Sequence, residues 1–225
     1  MFDPLILITV RDRVTDLRQL VEWLERAGHQ RIVLLDNAST YEPLIEYLKA
    51  SPHDVRPLGE NLGARCAWLA DQVPADEWFV VTDPDIVPIE DCPLDLVAHL
   101  REMLEQHPLY SKAGPGLFLD DLDAAPFMDW EQSLMGVASA QVPLPSGREL
   151  AAGVFGSLID TTFALHRPGT QFTYQAIRTG RPYMARHLSW YRETDPTDED
   201  VFYLQHAIAG ARGSSWAQRV YGRSD

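Results

Sequence analysis

A chain of 225 residues with 45% hydrophobic content has enough apolar mass for one sizeable core, and a second independent domain would be cramped. Its formal net charge of -14 at pH 7 repels nucleic acid and anionic lipid, so any phosphate site needs a cation supplied locally. The only cysteines, Cys66 and Cys92, lie outside any C-x-x-C pattern, which excludes a disulfide scaffold or thiolate zinc site and fits a reducing, cytoplasmic setting.

Leu5-Ile6-Leu7-Ile8-Thr9-Val10 is a short apolar, β-branched run that predicts a strand. It lacks the length and basic flank of a signal peptide or membrane span. Leu17, Leu20, Val21 and Leu24 follow at helical spacing up to Gly28. Ile32-Val33-Leu34-Leu35 predicts a second strand ending at Asp36-Asn37, and Leu44, Ile45 and Leu48 mark a shorter helix. A third unit pairs a strand over 55–58 with the turn Asn61-Leu62-Gly63 and a helix over 64–72. Trp78-Phe79-Val80-Val81-Thr82 predicts a fourth strand. Pro93 starts a helix carrying Leu96, Leu100, Met103 and Leu104 on one face, and residues 112–119 return as an extended segment. Strands alternating with helices over 1–119 predict an open α/β sheet, mainly parallel and covered on both faces, with ligands beyond the carboxyl ends of its strands.

The second half is less regular. Residues 120–153 are acidic, aromatic and proline-bearing, and read as a helix over 129–135 plus a long loop of the kind that covers sites. Residues 154–165 resume an extended pattern, and the chain from His206 onward reads as a polar tail.

The sharpest local feature is Thr82-Asp83-Pro84-Asp85, two carboxylates one residue apart where a buried strand emerges at the ligand-binding edge. Oxygen donors in this arrangement suit Mg²⁺ or Mn²⁺, which takes its remaining ligands from water and substrate phosphates. Taken alone, an Asp-x-Asp is far more often a capped turn.

Four segments in order resemble a family-2 type glycosyltransferase of the GT-A fold. They are Thr9-Val10-Arg11-Asp12-Arg13 after the first strand, Leu34-Leu35-Asp36-Asn37-Ala38-Ser39-Thr40 like V-x-D-N-x-S, Asn61-Leu62-Gly63-Ala64-Arg65 like N-x-G, and Asp83-Pro84-Asp85 like D-x-D. The resemblance implies that Arg11 and Asp36 contact the base or ribose. Asn61, Gly63 and Arg65 would line the nucleotide-sugar pocket, Asp83 would face ribose and metal, and Asp85 would be the principal metal ligand at a solvent-accessible site. A looser match over residues 160–169 leads to Gly180-Arg181-Pro182-Tyr183-Met184-Ala185-Arg186-His187. There His187 is the implied third metal ligand, and Arg186 the cation beside the diphosphate. Residue chemistry agrees, since Asp36 accepts hydrogen bonds and Gly63 permits close backbone approach. Plain alternatives are a turn at Asp36-Asn37, a helix cap at 61–63 and an ordinary half-buried histidine at 187.

The family's E-D dipeptide carrying the inverting base is missing between Gly169 and Gly180. Glu199-Asp200 comes too late, in an acidic stretch that reads as a solvated loop. Substitute carboxylates are Asp120, Asp121, Glu131 and Asp160, with Asp121 and Asp160 leading. Phe127, Trp130, Trp190 and Tyr191 are candidate faces for an acceptor sugar.

The resulting expectation is one GT-A domain over 1–225, with a nucleotide-sugar half (1–119) and an acceptor half (120–225). It would be a metal-dependent glycosyltransferase using a UDP- or GDP-sugar, Mn²⁺ or Mg²⁺, and a glycan or other hydroxyl acceptor. The alternatives are a non-catalytic nucleotide-sugar-binding module and a sugar nucleotidyltransferase, the latter disfavoured by the lack of a Gly-rich, basic triphosphate loop near the start.

Overall fold

The computed structural model describes residues 2–121, 148–192 and 195–206. Phe127, Trp130, Glu131 and the helix expected over 129–135 lie outside them.

The first half follows the expected alternation: β1 (Leu5–Val10), α1 (Thr15–Arg26), β2 (Ile32–Asp36), α2 (Glu42–Ala50), β3 (Asp54–Pro57), α3 (Cys66–Leu69) and β4 (Phe79–Thr82). Then come β5 (Ile86–Pro88), α4 (Leu96–Gln106) and β6 (Lys112–Leu117). The later part adds β7 (Arg148–Ala151), β8 (Val154–Leu158), β9 (Ala164–His166), β10 (Gln175–His187), a 3₁₀ turn over Leu188–Arg192 and α5 (Asp198–His206).

All ten strands join one sheet in the order β3-β2-β1-β4-β9-β6-β10-β8-β7, with β5 paired to β10. The β3-β2-β1-β4 part is parallel, and β10 runs parallel to β6, while β9 and β8 are antiparallel to their neighbours. Alternation along β1 explains the two cores. Ile6, Ile8 and Val10 face α1, α2 and α4 through Leu17, Leu44 and Leu100, whereas Leu7 joins Leu62, Cys66, Phe79 and Val81 on the side of α3. Both cysteines are buried and unpaired.

Three expectations change here. The helix over 64–72 shrinks to four residues. The extended run over 154–165 is two strands, because residues 159–163 leave the sheet and cross over β6 at Gly114. The acidic stretch read as a solvated loop forms α5, with Glu199 and Asp200 buried. Arg13 and the Val14 and Thr15 amides, far away in sequence, supply partners that the local composition does not reveal.

The crossover is tight. A Cβ at Gly114 would overlap the Phe163 carbonyl oxygen and lie 2.8 Å from Ile159 Cδ1. Since the obstacle is backbone, Gly114→Ala is expected to destabilise by about 1–3 kcal/mol, the usual cost of overpacking. Urea unfolding followed by circular dichroism measures this, and an unchanged midpoint would contradict the close approach.

Candidate functional site

From β1 the chain goes to β2 and β3 on one side, then returns to β4 on the other, so the loops after β1 and β4 diverge. In open α/β sheets such a switch point is where ligands lodge. Residues 11–13 follow β1 here, residues 83–85 follow β4, and the loops after β2 and β3 flank them.

Those loops are tied to one another. Asn37, 2% exposed, donates through Nδ2 to Asn61 Oδ1 and the Gly63 carbonyl (both 3.2 Å), and its Oδ1 accepts from the Leu62 amide at 2.8 Å. Asn61 Oδ1 also accepts from the Gly63 amide, and Gly63 takes φ +74°, a conformation that favours glycine. Asp36 Oδ1 accepts from the Ser39 amide at 2.9 Å, so it closes a turn as its plain alternative required. Arg11 donates through Nη1 to the Asn37 and Ala38 carbonyls and through Nη2 to the His206 carbonyl. Asp12, fully buried at φ +51°, accepts from the Thr40 and Tyr41 amides at the start of α2. Arg65 is exposed, with its guanidinium 5.1 Å from the centre of the Phe172 ring. The structure therefore brings Arg11, Asp36, Asn61 and Gly63 to one edge, where Arg11 and Asp36 brace the loops.

The acidic centre lies between β4 and β10. Thr161 Oγ1 donates to Asp83 Oδ2 at 3.0 Å, and His187 Nε2 lies 3.2 Å from Asp85 Oδ2. Arg13 Nη1 is 3.9 Å from the same Asp85 oxygen. Burial pushes the Asp83 carboxyl well above its usual range, and the charges of Asp85 and Asp160 push it further. Burial would raise Asp85 too, but His187 and Arg13 hold it below the carboxylate range. Asp85 is 6% exposed, so its expected open position is corrected: Arg13 and His187 close over it.

A divalent ion fits this centre only in part. Among the described residues no group of three or more His, Cys, Asp or Glu side chains is arranged to hold a metal. His187 directs Nε2 at Asp85, and its Nδ1 is buried without a hydrogen-bond partner among the described residues. The three-ligand set expected with His187 is therefore not preformed. Mg²⁺, however, is commonly held by one or two carboxylates plus water and substrate phosphates. Asp83, crowded by two like charges, offers that kind of donor.

The remaining candidates separate. Asp160 accepts from the Thr162 amide and acts electrostatically on Asp83. Asp121 accepts from Arg186 at 2.8 Å and Tyr191 at 2.9 Å, and Asp120 lies 3.5 Å from Arg181. Arg186 also pairs with Glu90 at 2.6 Å. Because consecutive strand residues point to opposite faces, Arg186 and His187 do not share a side of β10. Trp190 is buried with its ring 4.5 Å from that of His187, and the Tyr191 hydroxyl is bound to Asp121 and the Phe118 carbonyl. Neither offers the open platform expected for an acceptor sugar.

Sequence reading missed a buried ion network beside the centre. Arg13 Nη1 lies 3.2 Å from Asp200 and 3.5 Å from Asp16, and Arg192 grips Asp16 with two hydrogen bonds of 3.0 and 2.6 Å. Arg192 also donates to Asp200. Glu199 accepts from the Val14 and Thr15 amides, capping α1, which has no local side-chain cap. The one available signal was Arg11-Asp12-Arg13, two arginines directly after a strand in a strongly acidic chain.

No family model and no curated protein matches the chain. Two crystal structures of S. aureus TarS, a GT-A-like glycosyltransferase, are similar in fold. The structure of residues 1–349 aligns with TM-score 0.50 and 12% identity over 84% of this chain and 61% of that one. The longer TarS structure aligns with TM-score 0.50 and 12% identity over 82% and 36%. The chain thus spans less than two thirds of either TarS structure. A 4-diphosphocytidyl-2C-methyl-D-erythritol synthase aligns at TM-score 0.41 and 12% identity over 90% of this chain and 97% of that one, too low a score to bear on the assignment. The chain has a GT-A-like α/β fold. No described helix is long and apolar enough to cross a membrane.

Proposed function

We propose that the chain is a glycosyltransferase that takes a sugar from a nucleoside-diphosphate sugar, with UDP- and GDP-sugars the first to test, and passes it to an acceptor hydroxyl in glycan or glycoconjugate biosynthesis. The supporting observation is the Asp83-Pro84-Asp85 pair at the β1–β4 switch point of a GT-A-like fold, with Asp160 acting on Asp83. Asp85 with Asp83 would hold Mn²⁺ or Mg²⁺ that arrives with the nucleotide and supplies Lewis-acid charge for the departing diphosphate. The loops bearing Asp36, Asn61 and Gly63 shape the nucleotide side of the crevice. Thr161 donates to the Asp83 carboxylate, and Asp160 would accept the acceptor's proton.

Titration calorimetry with UDP and GDP, with Mn²⁺ or EDTA, tests this reading. One nucleotide is expected to bind in Mn²⁺, and Asp85→Ala to weaken it by about 10- to 100-fold, the effect typical of groups supporting a metal site. Equal affinity in the variant, or binding of neither nucleotide, would refute it.

A further inference from the structure

Resting on that reading, we propose that Arg13 is a diphosphate-binding residue of the crevice and that α5 holds its place, Asp200 occupying the guanidinium until the nucleotide's phosphates displace it.

Arg13 follows β1 directly at the switch point and is 7% exposed. Three carboxylates surround Nη1, but only Asp200 comes within hydrogen-bond distance, at 3.2 Å, against 3.5 Å for Asp16 and 3.9 Å for Asp85. Asp16 stands in α1 and Asp85 between β4 and β5, whereas Asp200 arrives from a helix 187 residues away in sequence. The other acid of α5 behaves alike, since Glu199 sits on the Val14 and Thr15 amides at the start of α1. Two carboxylates on one short helix thus cover a guanidinium and a pair of backbone amides, both groups that bind phosphate.

The rest of α5 lies over the same loops. Its Tyr203 ring centre is 4.1 Å from the Arg13 guanidinium, Phe202 meets Tyr41 at 4.9 Å between ring centres, and the His206 carbonyl accepts from Arg11. α5 therefore covers the loops after both β1 and β2, where the proposed ligand would enter. A chain of charge -14 needs a local cation to receive a diphosphate, and exchanging one anion for another on Arg13 leaves its charge compensated throughout.

The test uses the full chain and four probes in calorimetry: UDP, GDP, inorganic pyrophosphate and uridine. Asp200→Asn is expected to tighten pyrophosphate and the preferred nucleotide by about tenfold, and Arg13→Gln to weaken both by about tenfold, with uridine unmoved. A purely structural Arg13 would shift uridine and UDP together. Because Asp200→Asn also removes a partner of Arg192, a second variant, Tyr203→Leu, removes the other α5 group seated on Arg13 without touching Arg192. It should likewise tighten pyrophosphate and the preferred nucleotide. Equal affinity for the preferred nucleotide in wild type and in both folded variants would overturn the proposal while leaving the glycosyltransferase reading intact. Pyrophosphate binding that responds to Arg13 and Asp200 without any nucleotide binding would retain the anion site and sink the glycosyltransferase reading. Binding of no probe to any form would remove both.

Discussion

Replacing Asp160 by Asn is expected to lower kcat by about 10²- to 10⁴-fold with little change in nucleotide-sugar affinity, since a general base acts chiefly in the transition state. Of the substitute base candidates Asp120, Asp121 and Asp160, Asp160 is the one whose charge acts on Asp83. Its backbone is held firmly, because the buried Lys112 ammonium donates to the carbonyls of Ile159 at 2.6 Å and Asp160 at 3.1 Å. Burial pushes that ammonium down to about 7, against the pull of Asp160. The neighbouring Thr161 is bonded to Asp83, so the segment couples the proposed base to the acidic pair. Asp121 is placed differently. Hydrogen bonds from Arg186 and Tyr191 outweigh its burial and hold it below the usual carboxylate range, which makes it a poor proton acceptor. Asp120→Asn and Asp121→Asn are therefore expected to retain most activity. Steady-state kinetics with saturating nucleotide-sugar separates the three variants, and wild-type kcat in Asp160→Asn would end its role as base. The anomeric configuration of the product by NMR then assigns the stereochemistry.

The first half of the fold was legible in the sequence because its strands are buried on both faces and its turns carry their own chemistry. Ile6-Leu7-Ile8 and Val33-Leu34-Leu35 are continuous apolar runs, as a doubly covered sheet requires, and Gly63 marks a backbone reversal at φ +74°. Asp83 and Asp85 stood out as candidates because strand end and carboxylate pair are adjacent in the chain. Legibility failed where the determining contact is long-range. Residues 159–163 bulge away from the sheet because Gly114 admits the Phe163 backbone, which the apolar pattern of 154–165 does not reveal. Glu199 and Asp200 look like solvent-facing acids until Val14, Thr15, Arg13 and Arg192 are placed around them. α5 therefore packs on the loops after β1 and β2 in a way that local composition hid.

Arg192→Ala is expected to be the most destabilising single change, by about 3–5 kcal/mol, the range found when one partner of a buried ion pair is removed. Asp16 is 0% exposed, and both its oxygens accept from Arg192, at 3.0 and 2.6 Å. Arg13, 3.5 Å from one of those oxygens, is shared with Asp85 and Asp200 and cannot replace the fork. For a domain of this size the loss corresponds to a Tm decrease of roughly 6–20 °C. Arg192→Lys should recover part of it, since an ammonium restores the charge without the bidentate geometry. The deficit should also depend on pH in a definite direction. Burial already raises the Asp16 carboxyl above its ordinary value, and losing Arg192 raises it further. The folded variant then takes up a proton at a higher pH than the unfolded chain does. The penalty is accordingly larger at pH 7 and shrinks as pH falls toward about 5, where protonation relieves the buried charge. Thermal unfolding of wild type and both variants at these two pH values measures the effect, and a pH-independent deficit would show that lost packing of the Arg192 side chain, not the uncompensated Asp16 charge, sets the cost.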